Sequence, residues 1–451
     1  MLPSIIPDPD ACEWRGLSPP PQSRPAFSSR ATPTPVSAAC PCDLSGYEGP
    51  ALATTTAAGC MKCGRDGTPS ALSFTSFRMA EKRYKLYKFS RREARRQPPP
   101  PEVDLTDVVQ FHNQDRNTEE HQRLIHRVIV PPRPKRSEGA SRSSADPTQQ
   151  EKEVVCYTFA GVPGLLVFPG VLSEEEQQRW CREAVLEYGD SAQHPNILST
   201  HAKASQSTSC YQPPMRWATL GYSYDWTTKV YHQDCYSTFP SELRKRMCDL
   251  VSLVAEVRQD GFCCAYPDVY EPQTAIVNYY PVGSMMMCHQ DISEKTLEQP
   301  LMSLSLGCSA IFLMGTQSRE DAPYAFLLKS GDVAAFTGPS RLAFHSTPRI
   351  LDDCPVYLTL PEDELTDSER RRYREHTYCA HPTPDGRFSP VDKTSMTAEE
   401  QERYWRLCMR HMRININARQ VYRERCPAVF QAPRDLAKGR ELEQTLTERE
   451  A

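Results

Sequence analysis

Long apolar runs are missing from this chain of 451 residues. None reaches the roughly 20 residues of a bilayer-spanning helix, and no basic segment followed by an apolar stretch opens the sequence. A soluble protein without membrane association is therefore expected. An excess of charge of either sign is missing too, with 53 Lys and Arg against 57 Asp and Glu and a formal net value of -4. That excludes little, because local basic strips such as Lys82 to Arg96 set affinity for phosphates. Residues 1–76 lack periodic apolar positions and are rich in Pro, Ser, Ala and Thr, so a disordered low-complexity extension is expected there. Within it Cys40-Pro-Cys42 and Cys60-Met-Lys-Cys63 could form a four-thiolate zinc site. Only the second pair has metal-knuckle spacing, and incidental cysteines are the preferred reading. The 18 cysteines are scattered through the chain, so reduced thiols are expected in an intracellular setting: nucleus, cytoplasm or mitochondrion.

What is present divides the rest. With 40 prolines, unpacked segments surround a single core of about 250 residues. Residues 77–153 read as a basic helical extension and linker. From Phe77 to Arg96 basic residues interleave with Tyr84, Tyr87 and Phe89, which suits one amphipathic helix ended by Gln97-Pro-Pro-Pro-Pro101. Its cationic side either meets phosphates or stays solvated while the aromatic stripe docks on the core. Deleting residues 1–78 is expected to spare catalysis, since no periodic apolar face is seen there. Residues 154–425 form the main domain. Gly164 to Phe168 reads as a buried strand, and Ser173 with Glu176 as a capping box before a helix stopped at Gly189. Ser241 to Arg258 reads as a second amphipathic helix, both packing outside the barrel. Residues 351–396 are polar and Pro-interrupted, Thr397 with Glu400 caps a short helix, and 426–451 is a charged tail.

The chemistry concentrates at His289-Gln-Asp291 and His345. Residues i and i+2 of a strand share a side and can grip one metal together, with Cys288 on the other face. Two imidazoles and a carboxylate suit Fe(II) and leave its opposite face open to a chelating cosubstrate and oxygen. Arg413 and Arg419, six apart in Arg413-Ile-Asn-Ile-Asn-Ala-Arg419, share a strand face. Guanidinium forks there suit a dicarboxylate such as 2-oxoglutarate. Thr274-Ala-Ile-Val leads to Asn278-Tyr-Tyr280, with Asn278 and Tyr280 on one face. Leu301 to Leu306, Ala310 to Met314 and Gly331 to Phe336 read as successive short strands before His345.

These blocks, with Ser303-Leu-Ser-Leu-Gly307, Ser330-Gly-Asp332 and Ser340-Arg-Leu342, keep one order from Asn278 to Gln420. The chain resembles the AlkB-like nucleic-acid dioxygenases that use iron and 2-oxoglutarate, and within them the homologue-one branch. The resemblance implies an α+β fold with a double-stranded β-helix (jelly-roll) core and flanking helices. It implies His289, Asp291 and His345 as catalytic iron ligands, and Asn278, Tyr279, Tyr280, Arg413, Asn415, Asn417 and Arg419 around 2-oxoglutarate, with O2 as co-oxidant. Arg216 to Trp226 looks like the branch's segment over the substrate pocket, making Trp217, Tyr222, Tyr224 and Trp226 candidates for base contact, against a reading as core aromatics. Arg319 aligns with a family arginine near the base, against a surface salt-bridge role. Tyr84 to Arg91 and Asp104 to Phe111 resemble the branch's amino-terminal extension. Ser293 stands where bacterial relatives carry a second acid, so their substrate preferences transfer poorly.

The implied reaction hydroxylates a methyl on a base nitrogen, which leaves as formaldehyde. Transfer RNA 1-methyladenosine is the implied favourite, with DNA N6-methyladenine and oxidation of 5-methylcytosine in a tRNA anticodon also attributed to the branch. The alternatives are a protein hydroxylase or histone demethylase on the same barrel, and a catalytically silent nucleic-acid-binding module. A monomer is expected.

Overall fold

The computed structural model describes residues 74–96, 102–131, 153–188, 216–225, 228–259, 262–379 and 395–424. Residues 1–73, Gln97 to Pro101, Gly189, Trp226 and the 426–451 tail lie outside them, and with them the Cys40/Cys42/Cys60/Cys63 reading. Cys156, Cys181, Cys248, Cys288, Cys308, Cys354 and Cys379 carry free thiols, and among the described residues no helix is long and apolar enough to cross a membrane.

The chain runs through α1 (Ser76–Tyr84), α2 (Arg91–Arg95), β1 (Val108–Gln110), α3 (Glu119–Leu124), β2 (Ile125–Val130), β3 (Val154–Phe159), β4 (Leu165–Phe168) and α4 (Glu174–Glu183). Next come β5 (Trp217–Asp225), β6 (Val230–Tyr236), α5 (Ser241–Glu256), β7 (Arg258–Gln259), β8 (Phe262–Cys263), β9 (Thr274–Pro281), β10 (Met286–His289), β11 (Leu301–Gly307) and β12 (Ala310–Met314). It closes with β13 (Tyr324–Leu328), β14 (Val333–Phe336), β15 (His345–Ile350), α6 (Asp367–Tyr378), α7 (Ala398–Met409) and β16 (Met412–Arg419).

Two sheets face each other as a double-stranded β-helix. The larger has the order β2-β3-β4-β14-β11-β16-β9-β5-β6, and the smaller β1-β13-β12-β15-β10. Strict alternation at the centre of the larger sheet assigns its two faces. Met302, Leu304 and Leu306 of β11 and Ile414, Ile416 and Ala418 of β16 turn outward into a core shared with Trp180, Met247 and Trp405 of α4, α5 and α7. Arg413, Asn415, Asn417 and Arg419 turn inward beside Leu301 and Ser303. Gly307 sits opposite Arg413 at φ +77°, where a Cβ would lie 2.4 Å from the Met412 carbonyl oxygen. Only glycine lets the two strands meet so closely there.

The capping boxes at Ser173/Glu176 and Thr397/Glu400 form as their spacing predicts, each side chain bonding the other's backbone N–H. Another, Thr366/Glu369, starts α6 inside the polar, Pro-interrupted stretch of residues 351–396. Among its described side chains it buries Glu369, Tyr373, Thr377 and Tyr378, so polar positions interrupt the apolar stripe that reveals the others.

The amino-terminal extension departs from the single helix expected over 77–96. α1 stops at Lys85, whose backbone is extended, and Ser90 caps α2 afresh. The intervening segment docks on α6, with Phe89 N–H donating to Tyr378 O at 2.7 Å. Lys82, Lys85, Arg91 and Arg92 face solvent, whereas Lys88 turns inward and donates to Thr377 O at 2.5 Å. The extension is also more than helical: β1 pairs parallel with β13, and β2 pairs with β3. Phe77 is fully buried against Ile311, Leu313 and Leu327, so the premise that residues 1–78 contribute nothing to a core fails at that residue.

Candidate active site

His289 ends β10 and His345 begins β15, and the two are cross-strand partners with ring centroids 4.3 Å apart. Asp291, two residues past His289, completes the group. Its Oδ1 lies 3.8 Å from His289 Nε2 and its Oδ2 3.8 Å from His345 Nε2. The three ligand atoms fall within 4.8 Å of one another. Both rings are oriented in the same way. His289 Nδ1 donates to Met287 O at 2.8 Å and His345 Nδ1 to Ala343 O at 3.3 Å. A carbonyl only accepts, so Nδ1 carries the proton and the Nε2 lone pair is left for a metal. Burial, with His289 nearby, pushes His345 down to about 4. Burial acts against ionisation of Asp291, but Arg419 and the two imidazoles outweigh it and hold the carboxyl well below the usual range. Neutral imidazoles and an ionised carboxylate are the donor set iron(II) takes.

The cavity beyond these ligands has a cation at each end. Arg413, 3% exposed, donates through Nη2 to Ser305 Oγ at 2.7 Å and through Nη1 to Cys308 O at 3.4 Å. Burial lowers its guanidinium to about 10, which keeps it charged at neutral pH. Across β9, Tyr280 pairs with Arg413 and Asn278 with Asn415. Asn415 Nδ2 donates to Ser303 Oγ at 2.8 Å and Leu304 O at 2.9 Å. Asn417 turns to the cavity with its buried Oδ1 bonded to no described group. At the metal end, Arg419 donates to Asp291 Oδ2 at 3.2 Å and to Glu294 Oε1 at 2.7 Å. Glu294 also accepts from Arg341 Nη2 at 3.2 Å and Tyr231 OH at 3.3 Å. A dicarboxylate chelating a metal at one end and reaching Arg413 at the other fits this lining.

Sequence reasoning misplaces two residues. Tyr279 faces away from the cavity: it pairs with outward-facing Ile414 and donates its hydroxyl to Ala184 O at 2.6 Å. Alternation along β9 forces this, because Asn278 and Tyr280 point the other way. Arg319 lies on the outer side of the smaller sheet, its guanidinium 4.6 Å from the centroid of Phe344, and does not line the cavity. The aromatics of β5 divide. Tyr222 packs edge-on against Tyr236 and Tyr422 at 5.0 and 5.1 Å. Trp217, opposite Asn278, is 9% exposed within the same cluster. Tyr224, 4.9 Å from Tyr231, shares a 3.0 Å hydrogen bond with Ser293 Oγ in the metal-ligand loop. Glu294 and Arg341 escape sequence reasoning, since their salt bridge and that to Arg419 join segments far apart in the chain.

Residues 164–419 match the 2OG-Fe(II) oxygenase superfamily. The Arabidopsis thaliana DNA N(6)-methyladenine demethylase ALKBH1A is 30% identical over 61% of this chain and 84% of its own length. The Homo sapiens nucleic acid dioxygenase ALKBH1 is 29% identical over 47% of this chain and 59% of its own. The Schizosaccharomyces pombe tRNA demethylase abh1 is 42% identical over 32% of this chain and 45% of its own. With the donor triad, the two-arginine cavity and these similarities in place, the chain belongs to the 2OG-Fe(II) oxygenase superfamily, in its AlkB-homologue-one branch, whose chemistry uses iron(II), 2-oxoglutarate and oxygen.

Proposed function

We propose that the protein is an oxidative demethylase of nucleic acid, with 1-methyladenosine of transfer RNA as its favoured substrate. N6-methyladenine in DNA falls within the same reading, while oxidation of 5-methylcytosine in a tRNA anticodon would use the same centre but leave a hydroxymethyl group and release no formaldehyde. The observation that carries it is the His289, Asp291 and His345 triad facing Arg413 across one cavity. The names of the relatives support the class, including a Pyricularia oryzae N6-methyladenosine RNA demethylase that is 34% identical over 46% of this chain.

Iron with 2-oxoglutarate and oxygen, when bound, supplies the oxidant that hydroxylates the methyl C–H, after which formaldehyde leaves. The protein's own residues do the positioning. His289, Asp291 and His345 would hold the metal on one face, their Nδ1 bonds to backbone carbonyls fixing both rings. Arg413 would pin the far carboxylate with its fork, backed by Ser305. Phe312 and Phe336 wall His345, with centroids 5.8 and 5.5 Å away, and keep water from that side. Arg419 holds Asp291 ionised and fixed.

The test incubates the protein with Fe(II), 2-oxoglutarate and either methylated or unmodified RNA and DNA oligonucleotides, or a methylated histone peptide, reading succinate and formaldehyde. Formaldehyde matched to succinate on methylated strands alone is expected. Matched turnover on a methylated histone peptide but not on nucleic acid would move the protein to the protein-demethylase class.

A further inference from the structure

Glu81 is 1% exposed, although it precedes the superfamily match at residue 164. It sits on α1 in an apolar cluster with Phe77 and Tyr84, over the outer side of the smaller sheet. One carboxylate oxygen accepts from Arg78 at 3.0 Å. The other accepts the backbone N–H of Cys288 at 2.7 Å, the residue next to metal ligand His289. Cys288 falls within the register shift between Met286 and His289, where β10 departs from its pairing with β15. β10 is moreover the edge of its sheet, so a second strand does not flank it. A backbone donor at such a bulge needs another acceptor, and the bulge sets the direction of the next side chain.

The same helix meets the other ligand strand. Phe77 N–H donates to Arg319 O at 3.1 Å, and its ring packs so closely under Gly315 that an added Cβ would lie 3.0 Å away. Gly315 N–H donates to Phe344 O at 2.8 Å, one residue before His345. α1 thus reaches both histidine strands just ahead of the ligand.

We propose that Glu81 is a positioning residue of the metal centre: by accepting the Cys288 N–H it fixes the β10 bulge that aims His289 Nε2 at the metal. The iron site is then incomplete within the superfamily segment alone. This inference goes beyond the nucleic-acid reading and stands on the metal centre only.

The test titrates Co(II) into the iron-free full chain without oxygen or substrate, reading affinity from its visible absorption bands. Amide hydrogen exchange over the Cys288 peptide is followed in parallel. Glu81→Ala removes the acceptor, and weakening of Co(II) binding by about tenfold or more is expected, as for other groups that orient a ligand, with faster exchange at Cys288. Glu81→Gln keeps an acceptor oxygen and Arg78→Ala keeps the carboxylate, so both should stay within about threefold of wild type. Val108→Ala, buried in the same cluster but on β1 at the opposite edge of the sheet, should lower the unfolding temperature and leave Co(II) affinity intact. Wild-type affinity in Glu81→Ala, or an equal loss in Val108→Ala, would overturn the proposal. Should Glu81→Ala not fold, Glu81→Asp, one methylene short of Cys288, is held to the same outcomes.

Discussion

Replacing Arg419 with methionine tests the electrostatics of the centre directly. The guanidinium is 3% exposed and bridges Asp291 at 3.2 Å and Glu294 at 2.7 Å. Removing one partner of a buried pair costs about 3–5 kcal/mol, because the other charge is left uncompensated. Here Glu294 keeps Arg341 and Tyr231, and the Asp291 side chain is 18% exposed. Both facts place the cost near the low end, about 3 kcal/mol. For a folded unit of this size each kcal/mol moves the midpoint by about 2–4 °C, giving a drop of about 6–12 °C in the metal-free variant. A divalent metal then does for Asp291 what the guanidinium did. Saturating Co(II) should therefore raise the variant's midpoint more than wild type's and narrow the gap. The assay is thermal unfolding of metal-free wild type and Arg419→Met with and without excess Co(II). Equal midpoints without metal, or a gap that metal leaves unchanged, would refute the reasoning.

His289→Ala and Asp291→Ala should abolish turnover while the far-ultraviolet circular dichroism stays that of wild type, since each removes one of three ligands and buried Arg419 keeps Glu294 as its counter-charge. Succinate at the wild-type rate in either would end the iron-site assignment. Arg413→Lys should raise the 2-oxoglutarate concentration for half-saturation sharply, because an ammonium cannot form the two parallel bonds of a fork. An unchanged saturation curve would make Arg413 structural. Neutralising Lys82, Lys85, Arg91 and Arg92 should weaken transfer RNA binding and flatten its salt dependence by up to about 0.9 per lost phosphate contact. Lys88 is left out because its ammonium is committed to Thr377 O, and equal slopes would place the phosphate contacts elsewhere. Deleting residues 1–78 removes the fully buried Phe77 and should cost about 3–5 kcal/mol, read as a lower denaturation midpoint; an unshifted midpoint would show that α1 is dispensable.

The inward row of β16 was legible because it obeys a short period, whereas the iron triad was legible from its residue types and spacing alone, since Asp291 lies past the end of β10 and strand alternation does not place it. His289 and Asp291 are two apart, and Arg413, Asn415, Asn417 and Arg419 alternate with aliphatic residues that need a core. The same rule turns Tyr279 of Asn278-Tyr279-Tyr280 outward, away from its two neighbours. Arg319 shows a different limit, since it rested on alignment at one position outside any periodic element. Glu81 and Glu294 were beyond sequence reasoning. Each acts through a contact 207 or 125 residues away, and nothing in the flanking residues marks a carboxylate as buried. The break between α1 and α2 has a similar origin, because the docking of Phe89 on Tyr378 outweighs the helical pattern of the basic residues.

The parallel pairing of β1 with β13 carries a consequence for handling the protein. β13 reads Tyr324-Ala-Phe-Leu-Leu328, and its last four residues are at most 6% exposed. Without β1 the smaller sheet would end there, presenting a row of unsatisfied backbone groups on a flat, uncharged, strongly β-forming segment. Such a strand recruits other strands, including its own copies. The three residues Val108–Gln110 are thus an edge guard, and a chain shortened past Phe111 would self-associate through β13 in proportion to its concentration.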